Sequence, residues 1–485
     1  MRLDEYQWSR NPRGLHNKAA PFRMDQGRMV SAHYGWAKMV AIGGEYLDDI
    51  PWMLANNITP IVRIFRHNFG AAPADGGLIG FWRSYADRGV KWFEFYNEPN
   101  LGNEWPNGVV QDYRNRDQII APLMDNWLSW AEMIISWGCY PAFPALAEAY
   151  GDIVDVGGWL DAMMTYLAER QYDRFRAVMN NGLWVATHPY IYNHFYQEQA
   201  GSSEPRPPDL ENAYEGGWHF EYPYDPIMQS HRPGITTVSG DAEYPHGDVI
   251  GVAGSGEAFL LKAYELFGGG AIPVVGTEGG IIPVPNGPGS YQQTDNRYPG
   301  VSWNSHGHAT LAMFNWIANV APPWMFGITL WKENDYYEGP NGSIPAVQMM
   351  QQTPPQYKTV PALAALGNVN PGAFSSGPGP VHATPDYHFL MLAAGFNADW
   401  FFNGGSSYYE KFRPTVITNA DYIANLPYQR SLGLTILATE DMADYTKNQI
   451  TQRWGNVQVD LITVKSEERL AAILRQRVKD DKRFG

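Results

Sequence analysis

The sequence predicts an α/β fold: a closed (β/α)8 TIM barrel with long βα loops, followed by a small C-terminal α/β domain. Three observations predict it. Short β-branched or aromatic runs alternate with helix-length stretches from residue 12 to about residue 367. Eight such runs can be counted, too uniformly apolar for a sheet with one wet face. Beyond the Gly/Pro-rich stretch NPGAFSSGPGP (370–380) the texture changes, and a shorter strand and helix alternation begins. A doubly wound open sheet is the rival for the first part, but it would use fewer strands.

Taken in order, the first strand falls at Arg13–Asn17 and a helix over Pro21–His33. Strand Trp36–Ala41 precedes a helix in EYLDDIPWMLANN (45–57), and strand TPIVRIF (59–65) precedes helix Leu78–Arg88, closed by Gly89 as a C-cap signal. The fourth strand is KWFEFYN (91–97), followed by a long amphipathic helix over Asp112–Trp137. The fifth is Cys139–Phe143, then helix Trp159–Met179 and strand LWVATH (183–188). Helix Gly256–Phe267 leads to strand IPVVGTE (272–278), and helix His306–Val320 to strand WMFGITLW (324–331). Residues 189–255 are too long for an ordinary connection and are rich in aromatic and histidine residues, as the wall of a cleft would be. Further elaborated segments follow at 283–303 and 332–352.

The last part reads as strands at 388–393, 415–418 and 432–438, helix Glu440–Trp454, strand VQVDLITV (457–464) and helix Ser466–Lys479 with Ser466 as N-cap. The domain reading is a barrel over 1–367, a linker over 368–387 and a small α/β domain over 388–485, whose role stays open. It carries no G-x-G-x-x-G and no P-loop, so nucleotide binding is unsupported.

Composition narrows the chemistry. The 485 residues are 44% hydrophobic and 18% charged, as a globular chain should be. A single cysteine, Cys139, excludes an intrachain disulfide framework and gives a cysteine-built zinc site no support. A net charge of −15 argues against nucleic acid or an anionic membrane as partner. No signal-peptide pattern opens the chain and no apolar run is long enough to span a bilayer, so a soluble protein is expected, cytoplasmic or secreted after processing. The 18 Trp suit either exposed rings that bind a flat-faced ligand such as sugar, or a large core.

The chemistry concentrates in two motifs. In KWFEFYNEPNLGNEW (91–105) an apolar strand runs into Asn97-Glu98-Pro99-Asn100, and Pro99, lacking an N–H, stops the ladder. Glu98 is thereby set at the carboxyl end of its strand, the rim where barrel active sites lie. In IPVVGTEGGIIP (272–283) a second apolar strand ends in Glu278, and two glycines let the chain turn away and a ligand approach. Two glutamates at the ends of two strands of one barrel are what retaining glycoside hydrolysis needs: one acid to protonate the leaving oxygen, one carboxylate to attack the anomeric carbon.

Asn-Glu-Pro after a fourth strand, with a second glutamate ending the seventh, resembles glycoside hydrolase clan A. The longer form, Asn97-Glu98-Pro99-Asn100-Leu101 with Trp105 close behind, looks most like family 39 and its relatives. The resemblance implies Glu98 as acid/base, Glu278 as nucleophile and Asn97 as a ligand of the 2-hydroxyl at the cleaved sugar. It further implies an arginine supporting the nucleophile, either Arg63 or Arg66; a His and a Tyr after the sixth strand, matched by His188 and Tyr190; and an aromatic platform, matched by Trp331. Glu94 is a buried partner for an arginine or an orienting group. The implied enzyme needs no metal and no cofactor, and its partner is carbohydrate.

Two alternatives stand beside this reading. The histidines between 188 and 246 are of a type that ligates metal, but they show no H-E-x-x-H and no regular spacing. A barrel that binds polysaccharide without cutting it would keep the aromatic loops and lose a glutamate, whereas both glutamates are present.

Overall fold

Residues 1–16, 25–149, 151–190, 195–197, 218–220, 249, 251–270, 272–281, 305–319, 321–331, 336, 345–358, 387–412, 414–418, 420, 432–453 and 457–485 are described by the computed structural model of the chain. It divides into two units, Leu3–Thr359 and Val360–Gly485. The expected linker at 368–387 lies outside the described residues except for its last, and so does most of the long segments after the sixth, seventh and eighth strands.

The first unit is a closed parallel barrel. Its strands are β1 (Arg13–His16), β2 (Trp36–Ala41), β3 (Thr59–Ile64), β4 (Trp92–Glu94), β5 (Tyr140–Phe143) and β6 (Trp184–Thr187). A short hairpin of β7 (Phe195–Gln197) and β8 (Trp218–Phe220) falls within the long segment after β6, and β9 (Val274–Gly279) and β10 (Met325–Leu330) complete the wall. The barrel order is β1-β10-β9-β6-β5-β4-β3-β2. The eight expected strands are the eight found, because each is buried along its whole length and so reads as a continuous apolar run.

The N-terminal end of the barrel is plugged by rings. Trp8 stacks on Phe326 with centroids 4.2 Å apart, and Trp92 meets Trp36, Tyr140 and Trp184 at 5.0–5.2 Å. Trp36, Trp82, Trp92, Trp127, Trp159 and Trp184 are all fully buried. Much of the tryptophan excess is therefore core, each ring removing ~150–250 Å² from water.

The outer helices differ from expectation where tertiary contacts decide. Asp75 caps helix Gly76–Asp87, accepting from the Leu78 N–H, and Gly89 follows with φ +102°, as its C-cap signal implied. The helix expected over Asp112–Trp137 is a π-turn at Arg116–Ile120 continued by Ala121–Ser136. The one expected over Trp159–Met179 is two, Val156–Arg170 and Tyr172–Asn181. Gln171 breaks it, leaving helical geometry while its side chain donates to Asp125 on the preceding helix at 2.8 Å. The first helix is Gln26–Ser31, the start of the expected span lying outside the described residues.

The second unit is a parallel four-stranded sheet in the order β12-β11-β13-β14, formed by β11 (Tyr387–Leu392), β12 (Thr415–Ile417), β13 (Leu432–Ala438) and β14 (Val457–Thr463). Helix Glu467–Lys479 is capped by Ser466 as expected. Helices Ala398–Gly404 and Ser406–Phe412 were not legible in the sequence. Among the described residues no helix is long and apolar enough to cross a membrane.

Candidate active site

Parallel strands in a barrel deliver side chains to one rim, and here that rim gathers charge. Glu278 lies near the end of β9 and is 5% exposed. Four groups surround its carboxylate: Arg63 Nη1 at 3.3 Å, His16 Nε2 at 3.4 Å and His188 Nε2 at 3.8 Å from Oε1, and the Tyr190 hydroxyl, which donates to Oε2 at 3.1 Å. Burial alone would raise the pKa of this carboxyl. The charge of His188, the contact with His16 and the charge of Arg63 outweigh it and hold Glu278 well below the usual carboxylate range.

Glu98 is placed differently. Strand β4 stops at Glu94, and the chain reaches Glu98 through an isolated bridge between Asn97 and Ala145. Glu98 has φ +33°, a left-handed conformation that a residue with a Cβ adopts at a cost of ~1–3 kcal/mol. Its side chain is 14% exposed, and Oε1 lies 2.7 Å from His188 Nδ1. Asn100 locks the loop beyond, its amide donating to the carbonyls of Ala147 and Val154 at 3.0 Å.

His188 therefore stands between the two glutamates. Burial would lower its pKa, but the carboxylates of Glu278 and Glu98 prevail and raise it above the usual imidazole value. One ligand-capable atom each of Glu98, His188 and Glu278 lie within 4.8 Å of one another. His16 behaves oppositely. Burial lowers its pKa to about 4 despite Glu278, and it is neutral.

The alternatives left open by the sequence divide clearly. Arg63, inside β3, meets Glu278, while Arg66, two residues past the strand, donates to the carbonyls of Ile42 and Phe65. Trp331, one residue past β10, is partly exposed and stands edge-on to His16, with centroids 4.4 Å apart. Asn97 donates through Nδ2 to Glu104 at 2.8 Å. Glu94 pairs with Lys38 rather than with an arginine, and both are buried. Lys38 and Arg63 outweigh burial and lower the Glu94 pKa. Of the two glycines after Glu278, Gly280 makes the turn with φ +108°. Gly279 packs directly on the preceding loop, since a Cβ there would meet the Pro189 carbonyl oxygen at 2.4 Å.

Sequence reasoning missed His16, Lys38 and Glu104. The signal for the first two was a charged or polar residue inside an otherwise apolar strand, RGLH and WAKMVA. Cross-strand register places His16 opposite Lys38, and Arg63 opposite Glu94.

No family model matches the chain, and no curated protein does. Among solved structures it is similar to a curdlan-specific exo-β-1,3-glucanase of GH128 from Blastomyces gilchristii, at 10% identity and TM-score 0.36 over 71% of this chain and 99% of that one. It is also similar to an endo-β-1,4-mannanase from Thermotoga petrophila (12% identity, TM-score 0.32, 73% of this chain and 77% of that one). A β-glucosidase from Exiguobacterium marinum is similar at 10% identity and TM-score 0.31, over 64% of this chain and 77% of that one.

Proposed function

We propose that this chain is a retaining glycoside hydrolase in which Glu98 is the acid/base and Glu278 the nucleophile. The observation that carries the reading is the approach of the two rim carboxylates, one oxygen of each within 4.8 Å of the other. Retaining enzymes hold the pair about 5–5.5 Å apart, whereas inverting enzymes leave ~6.5–9.5 Å for a water.

The surroundings suit the roles. A nucleophile must be ionised and aimed; Glu278 is held ionised by Arg63 and His188, and the Tyr190 hydroxyl fixes its second oxygen. It attacks the anomeric carbon while Glu98 gives a proton to the leaving oxygen. Glu98 then takes a proton from the water that breaks the glycosyl-enzyme ester. The greater exposure of Glu98, 14% against 7% for the Glu278 side chain, supports giving it the proton exchange. Trp331 supports a platform role by its partial exposure above His16. The finer likeness to family 39 rests on Asn97-Glu98-Pro99-Asn100-Leu101 and Trp105.

The trio Glu98, His188 and Glu278 is also a donor set of the kind a divalent cation accepts. A metal ligand must be a neutral imidazole, so a cation there would compete with the proton that the two carboxylates favour on His188 and with the Arg63 charge that faces Glu278.

The test is chemical rescue. Wild type should turn over at least one of a panel of aryl glycosides, with or without a chelator. Glu278→Ala should lose that activity, and azide should restore it with an inverted glycosyl azide as product. Rescue of Glu98→Ala with that inverted product would exchange the two roles, and absence of turnover by wild type on aryl glycosides and polysaccharides would favour a binding barrel.

A further inference from the structure

Glu104 is a third carboxylate at this rim, and neither half of the double displacement uses it. It ends the short 3-10 turn Gly102–Glu104 and lines a pocket at the ends of β3 and β4 together with Arg63, Tyr96, Asn97 and Trp105. The walls are fixed by the fold. The Trp105 indole donates to the Pro99 carbonyl at 2.7 Å, and the Tyr96 hydroxyl to the Ala72 carbonyl at 2.7 Å. The Gly70 N–H donates to the Glu104 carbonyl at 2.8 Å, and a Cβ at Gly70 would meet the Trp105 ring at 2.9 Å.

Polar atoms in these walls are left open. Because Asn97 Nδ2 donates to Glu104, its Oδ1 is the atom that remains to accept. Asn97 Oδ1 and Arg63 Nε are buried and make no hydrogen bond with another described group, and Arg63 is 6% exposed. Burial raises the Glu104 carboxyl, although its bond from Asn97 and the charge of Arg63 oppose this. A buried acceptor, Asn97 Oδ1, and a buried donor, Arg63 Nε, that line one pocket with the half-buried Glu104 cost free energy until something hydrogen-bonds to them.

We propose that this pocket is a subsite for a neutral sugar ring, its hydroxyls donating to Glu104 and Asn97 Oδ1 and accepting from Arg63. The inference rests on the carbohydrate reading above and names the occupant within it. A hydroxyl is the sugar substituent that both donates and accepts, which is what two acceptors next to a donor require. Glu104 and the arginines Arg63 and Arg66 line the same pocket with opposite signs, so neither a uronate nor an ammonium meets a wall of one complementary charge. Tyr96 and Trp105 supply the apolar wall against which a ring's C–H faces pack.

Binding decides it without recourse to turnover. The full chain is titrated with neutral gluco-, manno- and xylo-oligosaccharides and with oligogalacturonate, followed by tryptophan fluorescence and calorimetry. Wild type should bind at least one neutral series more tightly than oligogalacturonate. Glu104→Ala should weaken that binding about 10–100-fold, the loss of a hydrogen bond or two to a charged group. Glu104→Gln, which keeps the shape and one acceptor, should fall between and carries the test if the alanine variant fails to fold. Stronger binding of oligogalacturonate, no binding of any neutral series, or undiminished binding by both variants would overturn the proposal. A protein that binds through Glu104 but hydrolyses nothing would remove the hydrolase reading and leave this one standing.

Discussion

Two buried polar networks, one at the barrel mouth and one inside the C-terminal sheet, use the same residue types to opposite ends. In the sheet, His388 on β11 bonds Thr435 on β13 at 2.8 Å, and Thr435 donates to Asp460 on β14 at 2.8 Å. Arg477 grips both oxygens of Asp460, and Arg483 Nε donates to His388 Nδ1 at 3.2 Å. Among the described residues of that unit no buried side-chain nitrogen or oxygen lacks a hydrogen bond. At the mouth, by contrast, His16 Nδ1, Arg63 Nε, Glu94 Oε1, Asn97 Oδ1, Thr187 Oγ1 and Thr277 Oγ1 have no described partner. A network closed on itself specifies a fold and offers nothing to a ligand. An open one costs stability, and sites that must bind something are where such costs persist.

The strongest way to break this contrast is to remove the mouth's central cation. Arg63→Met strips Glu278 of its 3.3 Å partner in a buried setting, where losing one member of a pair costs ~3–5 kcal/mol. With the proposed nucleophile affected directly, kcat/KM should fall about 10²–10³-fold, each factor of ten being ~1.4 kcal/mol. Because Arg63 helps hold Glu278 below the carboxylate range, the acidic limb of the rate profile should also move to higher pH. A profile that keeps its acidic limb after the substitution would show that Arg63 does not hold the charge.

The difference between the networks also explains what the sequence made legible. Both glutamates were found because each terminates an apolar run at a residue, Pro99 or Gly279, that visibly interrupts it. The partners of those glutamates were found less well. His16 and Lys38 sit within strands, and the carboxylates they meet come from strands distant in sequence, through a register no single run contains. Arg63 and Arg66 look alike three residues apart; the end of β3 at Ile64, a boundary set by pairing, is what separates them. Gln171 ended a helix that propensity would have continued, through a bond to Asp125. Glu104 lies on an irregular turn with no periodic signal at all.

The closed network predicts its own weakness, in acid. Burial and the nearby Arg483 charge lower the His388 pKa to about 3. Above pH ~6.5 the imidazole is neutral whether the chain is folded or not. As pH falls from there toward about 3, the unfolded chain takes up a proton that the folded one refuses, so stability is lost across that window. Asp460, which Arg477 holds low against the effect of burial, adds to the loss at its acid end. The C-terminal unit should lose on the order of 4 kcal/mol, read as faster hydrogen exchange in β11 and β13 after correction for the intrinsic rate. His388→Gln, which does not titrate, should flatten most of that dependence; an unchanged slope would locate the acid sensitivity elsewhere.

The smallest effect sharpens the contrast most, because it removes one bond and no charge. The Tyr190 hydroxyl donates to Glu278 Oε2, while Arg63, His16 and His188 cluster on Oε1. If the Oε1 partners set the ionisation and Tyr190 sets only the aim of the second oxygen, the two functions separate in kinetics. Tyr190→Phe should lower kcat about tenfold, the ~1.4 kcal/mol of one hydrogen bond to a charged group, with KM and the acidic limb little changed. A shift of that limb as large as the one expected for Arg63→Met would mean that the hydroxyl helps hold the charge, and that aim and ionisation are not divided between the two oxygens.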